Sequence, residues 1–114
     1  MNITSEELLK EAHALEPQLQ QWRRTLHRHP EVGFDLPHTK ELVKKALTEM
    51  GYEPKDCGKA GIIALADGKK PGKTILLRAD MDALPIPEDS GEEFSSEVPG
   101  KMHGCGHDMH TAML

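Results

Sequence analysis

The sequence predicts an α/β fold from three observations: two amphipathic helical segments in the first 50 residues, short apolar runs of strand length behind them, and a strand that ends in carboxylates ahead of a Cys/His-rich turn. Leu8, Ala12, Leu15, Leu19, Trp22 and Leu26 recur at alternating spacings of four and three, which lays one apolar stripe along a first helix. Thr4 and Glu7 form the capping-box pattern at its start. Pro17 interrupts the stripe without shifting its phase, so the segment is either one kinked helix or two helices with Pro17 in the first turn of the second. His29-Pro30 ends it, because the residue before a proline is pushed out of the α region.

A second helix is expected from about Pro37 to Met50, with Leu42, Val43, Ala46, Leu47 and Met50 on one face and Gly51 as its C-terminal cap. Tyr52 to Lys55 reads as extended. Gly61–Ala66 and Thr74–Leu77 have the length and composition of a buried strand pair, joined by the turn-forming stretch Asp67–Gly72. From Asp80 to Lys101 the pattern dissolves into Pro, Gly, Ser and acidic residues, a long loop of the kind that is usually functional or disordered. Thr111-Ala112-Met113-Leu114 reads as the opening of a helix without a body. The expectation is an incomplete domain, since an apolar fraction of 37% with four aromatic residues is meagre for a closed core.

A net charge of -5, with Arg23-Arg24 and Lys69-Lys70 as the basic clusters, argues against nucleic acid, because phosphate binding needs clustered Lys and Arg. Those clusters read as solvated faces. No run approaches the roughly 20 apolar residues of a membrane helix. The acidic N-terminus carries no apolar signal region, which points to the cytoplasm, and Cys57 and Cys105 read as reduced thiols rather than a bridge.

The chemistry gathers at two places. Leu76-Leu77-Arg78-Ala79-Asp80-Met81-Asp82 is an apolar strand that releases two carboxylates at its carboxyl end, where α/β sheets bind ligands, and their i, i+2 spacing sends both to one side. The bland alternative is an acidic loop facing water. Met102-His103-Gly104-Cys105-Gly106-His107-Asp108-Met109-His110 sets one thiol, three imidazoles and a carboxylate beside two glycines. Cys and neutral His are the usual ligands of zinc-like cations, and Cys105 and His107, two apart, can reach one ion from a single turn. The alternative is a buried free Cys beside a surface His. Asp108 is expected to cap a helix beginning at Met109. Asp80, His103, Asp108 and His110 are candidates for contacting substrate or for holding a ligand in place. His27 and His29 read as structural, at a helix end where a protonated imidazole suits the dipole. His13 and His38 read as exposed, and the pairs Glu6-Glu7 and Glu92-Glu93 as solvated.

Arg78-Ala79-Asp80-Met81-Asp82-Ala83-Leu84-Pro85 and Met102–Ala112, supported by Leu26-His27-Arg28-His29-Pro30-Glu31-Val32-Gly33-Phe34, resemble the N-terminal part of the M20 metallopeptidase family, within its amidohydrolase branch of hippurate hydrolases, N-acyl-amino-acid amidohydrolases and auxin-conjugate hydrolases. The resemblance implies that residues 1–114 are the N-terminal portion of a catalytic domain with helices packed on a mostly parallel sheet, the inserted dimerisation domain and C-terminal part lying outside them. It implies metal-dependent hydrolysis of the amide of N-acyl amino acids, two divalent ions (Zn or Mn), and a homodimeric full-length relative. Cys105 and His107 match family metal ligands. Asp82 matches a catalytic-site acid that orients a ligating imidazole, and Asp80 stands where other branches carry a His ligand. The family's Glu-Glu pair and later His ligands have no counterpart here, so the chain alone is expected to be inactive. The rival reading is a small non-catalytic metal-binding or interaction module built on the Cys/His cluster.

Overall fold

The structure, a computed structural model, describes residues 2–114. It consists of α1 (Ser5–Arg28), α2 (Pro37–Glu49), β1 (Lys55–Cys57), β2 (Gly61–Ile63) and α3 (His107–Met113). The capping box forms: the Glu7 N–H donates to Thr4 Oγ1 at 3.2 Å and the Thr4 N–H donates to Glu7 Oε2 at 2.8 Å. Of the two alternatives at Pro17, one continuous helix is what exists, and it stops at His29 as the following proline requires. Its apolar stripe is covered unevenly. Leu26 is buried, whereas Leu8 and Leu15 are more than half exposed, because α1 is packed by α3 only near its C-terminal end.

The segment between α1 and α2 is a bolt. Leu36 at the N-cap of α2 offers no side-chain acceptor, so the Glu31 carboxylate supplies one, accepting from the N–H groups of Thr39 at 2.6 Å and His38 at 3.2 Å. The Glu31 carbonyl accepts from the Ala83 N–H at 2.7 Å, and Val32 and Ala83 form a parallel bridge. One residue thus fixes the start of α2 and the chain just beyond Asp82. Gly51, at φ +94°, ends α2 in the left-handed conformation expected of a glycine cap.

The mixed helix and sheet class agrees with the sequence, but the strand pairing does not. β2 pairs antiparallel with β1, Asp56 opposite Ile62, and not with Thr74–Leu77. That second run forms no strand among the described residues, and Ile75, Leu76 and Leu77 are 72–81% exposed. A continuous apolar run signals a strand that is covered on both faces. No described segment lies beside this one to cover it.

The interior is as polar as it is apolar: Leu26, Leu36, Ala83 and Ala112 are buried together with His27, Thr39, His103 and Asp108. Its order therefore depends on hydrogen bonding as much as on packing. The long loop is tied down at several points, with Leu84 and Met102 exchanging backbone hydrogen bonds at 2.8 and 3.0 Å and the Glu97 N–H donating to the Arg28 carbonyl at 2.8 Å. No helix among the described residues is long and apolar enough to cross a membrane.

Candidate metal centre

The two chemistry-bearing stretches meet. Gly106 caps α3 at φ +95°, a left-handed conformation that favours glycine, and the turn brings His107 back to the end of the 76–82 run. His107 Nδ1 lies 2.9 Å from the Asp82 carbonyl oxygen and 3.0 Å from Asp82 Oδ1. Both are acceptors, so Nδ1 carries the proton and donates, which leaves Nε2 with its lone pair whenever the ring is neutral. Asp80 Oδ2 stands 3.9 Å from that Nε2. The two carboxylates therefore flank one imidazole, one on each nitrogen, as their i, i+2 spacing allows. Arg78 Nη2 holds Asp80 Oδ1 at 2.6 Å, and the Thr111 hydroxyl donates to the Asp80 carbonyl at 3.0 Å, tying α3 to the same segment.

Cys105 sits two residues before His107 in the turn leading into α3, exposed and free; Cys57 is also free and exposed, on β1. Gly104 packs under Ile86, whose Cδ1 a Cβ there would meet at 2.9 Å. The donors fit a zinc-like cation in kind: a thiol, an imidazole lone pair and a carboxylate. Among the described residues, however, no three of His, Cys, Asp and Glu converge on one point. A catalytic zinc site needs three protein ligands. His110 is exposed, with its ring centroid 6.3 Å from that of His107.

Behind the turn lies a buried network that the sequence did not disclose. Asp108 does not cap a helix starting at Met109: α3 begins at His107, Gly106 is its N-cap, and no side chain caps it. The Asp108 carboxylate is instead 1% exposed and turned toward α1, where Oδ2 accepts from Arg23 Nε at 2.8 Å and from His27 Nδ1 at 2.8 Å. Arg23 is accordingly half-buried rather than a solvated face. The other nitrogen of His27 lies 2.9 and 3.0 Å from the two oxygens of Glu88, a residue of the long loop. Phe94 from that loop packs edge-on against His27, with the guanidinium groups of Arg23 and Arg24 over its ring at 4.7 and 4.8 Å. His27 is structural, as expected, but through buried contacts of both ring nitrogens with carboxylates rather than a helix dipole. The apolar phase of the α1 stripe signals Leu26 and Trp22, and Arg23 and His27 each follow one of those positions. Glu88 carried no signal at all. His29, His13 and His38 are exposed.

These contacts set protonation. Burial pushes the Glu88 carboxyl up, but hydrogen bonds from Ser90, the Ser96 backbone and His27 outweigh it and hold the group at about 2. Asp108 is likewise raised by burial and lowered further by His27 and Arg23, for a net depression. Burial depresses His103, both of whose ring nitrogens lack a partner. A carboxyl whose folded value lies below its unfolded one contributes stability above the unfolded value and loses it as pH falls through the folded one. Acid titration followed by circular dichroism is expected to show stability declining progressively from about pH 4.5 toward pH 2, and Glu88→Gln to flatten that decline.

The description "Peptidase family M20/M25/M40" belongs to the family whose model matches residues 76–114, the stretch that carries both Asp82 and His107. An N-acyl-L-amino acid amidohydrolase of Geobacillus stearothermophilus is 42% identical over 113 residues, covering 98% of this chain and 30% of that protein. An N-acetylcysteine deacetylase of Bacillus subtilis is 45% identical over 94 residues, 81% of this chain and 25% of that protein. Among solved structures, a dinuclear metal-binding peptidase of the M20 family from Bacillus subtilis superposes with a TM-score of 0.79 at 44% identity, covering 88% of this chain and 28% of that one. The chain thus spans about 30% or less of the length of these relatives.

Proposed function

We propose, on the premise that the chain belongs to the M20 peptidase family, that it contributes part of the metal centre of an amidohydrolase acting on N-acyl amino acids, hippurate-like or N-acetylated. Residues 1–114 are the N-terminal portion of the catalytic domain in this reading, with the inserted dimerisation domain and the C-terminal part outside them. Cys105 and His107 are the metal ligands. The observation that carries the reading is the Asp82 carboxylate 3.0 Å from His107 Nδ1. A carboxylate in that position fixes the tautomer and orientation of a ligating imidazole and raises its basicity.

The divalent ions, Zn or Mn, would polarise the scissile carbonyl and bring a water's pKa toward neutrality. The chain's own residues prepare the place for them. Asp82 holds the proton on His107 Nδ1 and so keeps Nε2 available. Arg78 restrains Asp80 on the far side of that ring, and in this reading the exposed His110 contacts substrate. His103 and Asp108 support the turn from behind. No carboxylate in the site is free to act as a general base, a role worth about 10² to 10⁴-fold, so the 114 residues alone are inactive. The location is cytoplasmic and the assembled enzyme homodimeric in this reading.

A chimera tests it: residues 1–114 joined to the remaining sequence of the Geobacillus amidohydrolase. We expect chelator-sensitive release of free amino acid from N-acetyl or N-benzoyl substrates, abolished by His107→Ala. A folded, metal-loaded chimera without turnover would overturn the assignment.

A further inference from the structure

We propose that His27 is a positioning residue for this centre: a clasp, hydrogen-bonded through both ring nitrogens, that locks the Cys105–His107 turn and the long loop to α1. Its functional consequence rests on the metal-centre reading; the clasp itself rests on geometry. Each nitrogen of the His27 ring, 3% exposed, faces carboxylate oxygen, Asp108 on one side and Glu88 on the other. Ionised carboxylates only accept, so both nitrogens must carry protons for both contacts to be hydrogen bonds. The ring is then an imidazolium, and its charge closes the local balance: two buried anions, Asp108 and Glu88, against two cations, His27 and Arg23. A neutral ring would aim a lone pair at one of the carboxylates.

The placement of this ring gives it leverage. At seven residues α3 is far below the roughly 12–15 at which an isolated helix becomes even marginal. Its orientation is therefore imposed from outside, by Asp108 on α1 and by Thr111 on the Asp80 carbonyl. Asp108 is the neighbour of His107. Glu88, which also accepts from the Ser96 N–H at 2.7 Å, belongs to the loop that runs from Asp82 to the Cys105 turn. One ring thus joins the three pieces that must agree for His107 to meet Asp82. A small rotation of α3 would separate them, and misplacement by about 1 Å can cost 10²-fold in a catalytic site.

Long-range proton–nitrogen NMR of the metal-free full chain, with labelled histidine, is the test. We expect protons on both nitrogens of His27 and on Nδ1 alone of His107. In His27→Gln, which keeps one donor, we expect a folded chain whose His107 ring mixes both tautomers, and a cobalt affinity about 10- to 100-fold lower, the usual cost of losing support behind a ligand. Asp108→Asn breaks the same link from the other side and stands in should the first variant not fold. A single proton on wild-type His27, or an unchanged His107 tautomer in a folded variant, overturns the proposal. Failure of both variants to fold also counts against it, since the ring would then serve global stability alone. Absence of cobalt binding to the wild type would sink the metal-centre reading, while the tautomer of His107 would still judge the clasp.

Discussion

Cys105→Ser is expected to weaken Co²⁺ or Zn²⁺ binding by at least about 10- to 100-fold, the range that loss of a supporting group behind a ligand already costs. A thiolate is a soft, anionic donor suited to zinc-like ions, and a serine hydroxyl at neutral pH is neither. Cys105 is exposed, so the substitution removes a donor without opening a cavity, and a change in affinity cannot be attributed to collapse of the fold. Titration with cobalt reads this directly: a thiolate-to-metal charge-transfer band is expected in the wild type and absent in the variant. Cys57→Ser is the internal control, because that thiol lies on β1 of the hairpin, away from the turn. His107→Ala should match Cys105→Ser. Binding that is millimolar and indifferent to position 105 would leave the cluster without a metal role, and the rival reading as a metal-binding module would fall with it.

Asp108→Ala is expected to destabilise the chain by about 3–5 kcal/mol, the usual result of removing one partner from a buried ion pair. The mechanism is the orphaning of what remains. Arg23 Nε and His27 Nδ1 both donate to Asp108 Oδ2, and with the carboxylate gone the Arg23 guanidinium and the N–H of a buried imidazole lose their shared acceptor. A domain is typically stable by only about 5–15 kcal/mol, so the loss is a large share of the total. Urea unfolding should show the midpoint falling steeply. Arg78→Ala is a useful contrast: its ion pair with Asp80 is solvent-exposed, and such pairs are worth about 0–1 kcal/mol. Equal effects of the two substitutions would mean that the buried network does not hold the fold.

Local interactions were legible in the chain. The capping box of Thr4 and Glu7, the end of α1 at His29-Pro30 and the span of α2 with its Gly51 cap all depend on residues within a few positions of one another, so the order of residues carries them. The same holds for Asp80 and Asp82, whose i, i+2 spacing lets both carboxylates approach one imidazole, at 3.9 and 3.0 Å. Strand pairing was misjudged at Thr74–Leu77 because an apolar run states what a segment needs to bury and not which neighbour will bury it.

What the tertiary structure decided was every partnership across long separations. Asp108 reads as a cap in sequence and is a buried anchor in space, because Arg23 and His27 approach it from 85 and 81 residues away. Glu88 was lost in an acidic loop until that loop folded back on α1. The sequence by itself determined which donors are available and how each short segment turns, since bonds along the chain set both. Which carboxylate meets which imidazole was settled only by packing, because buried charges must find opposite partners, and those partners come from distant elements brought together by the fold.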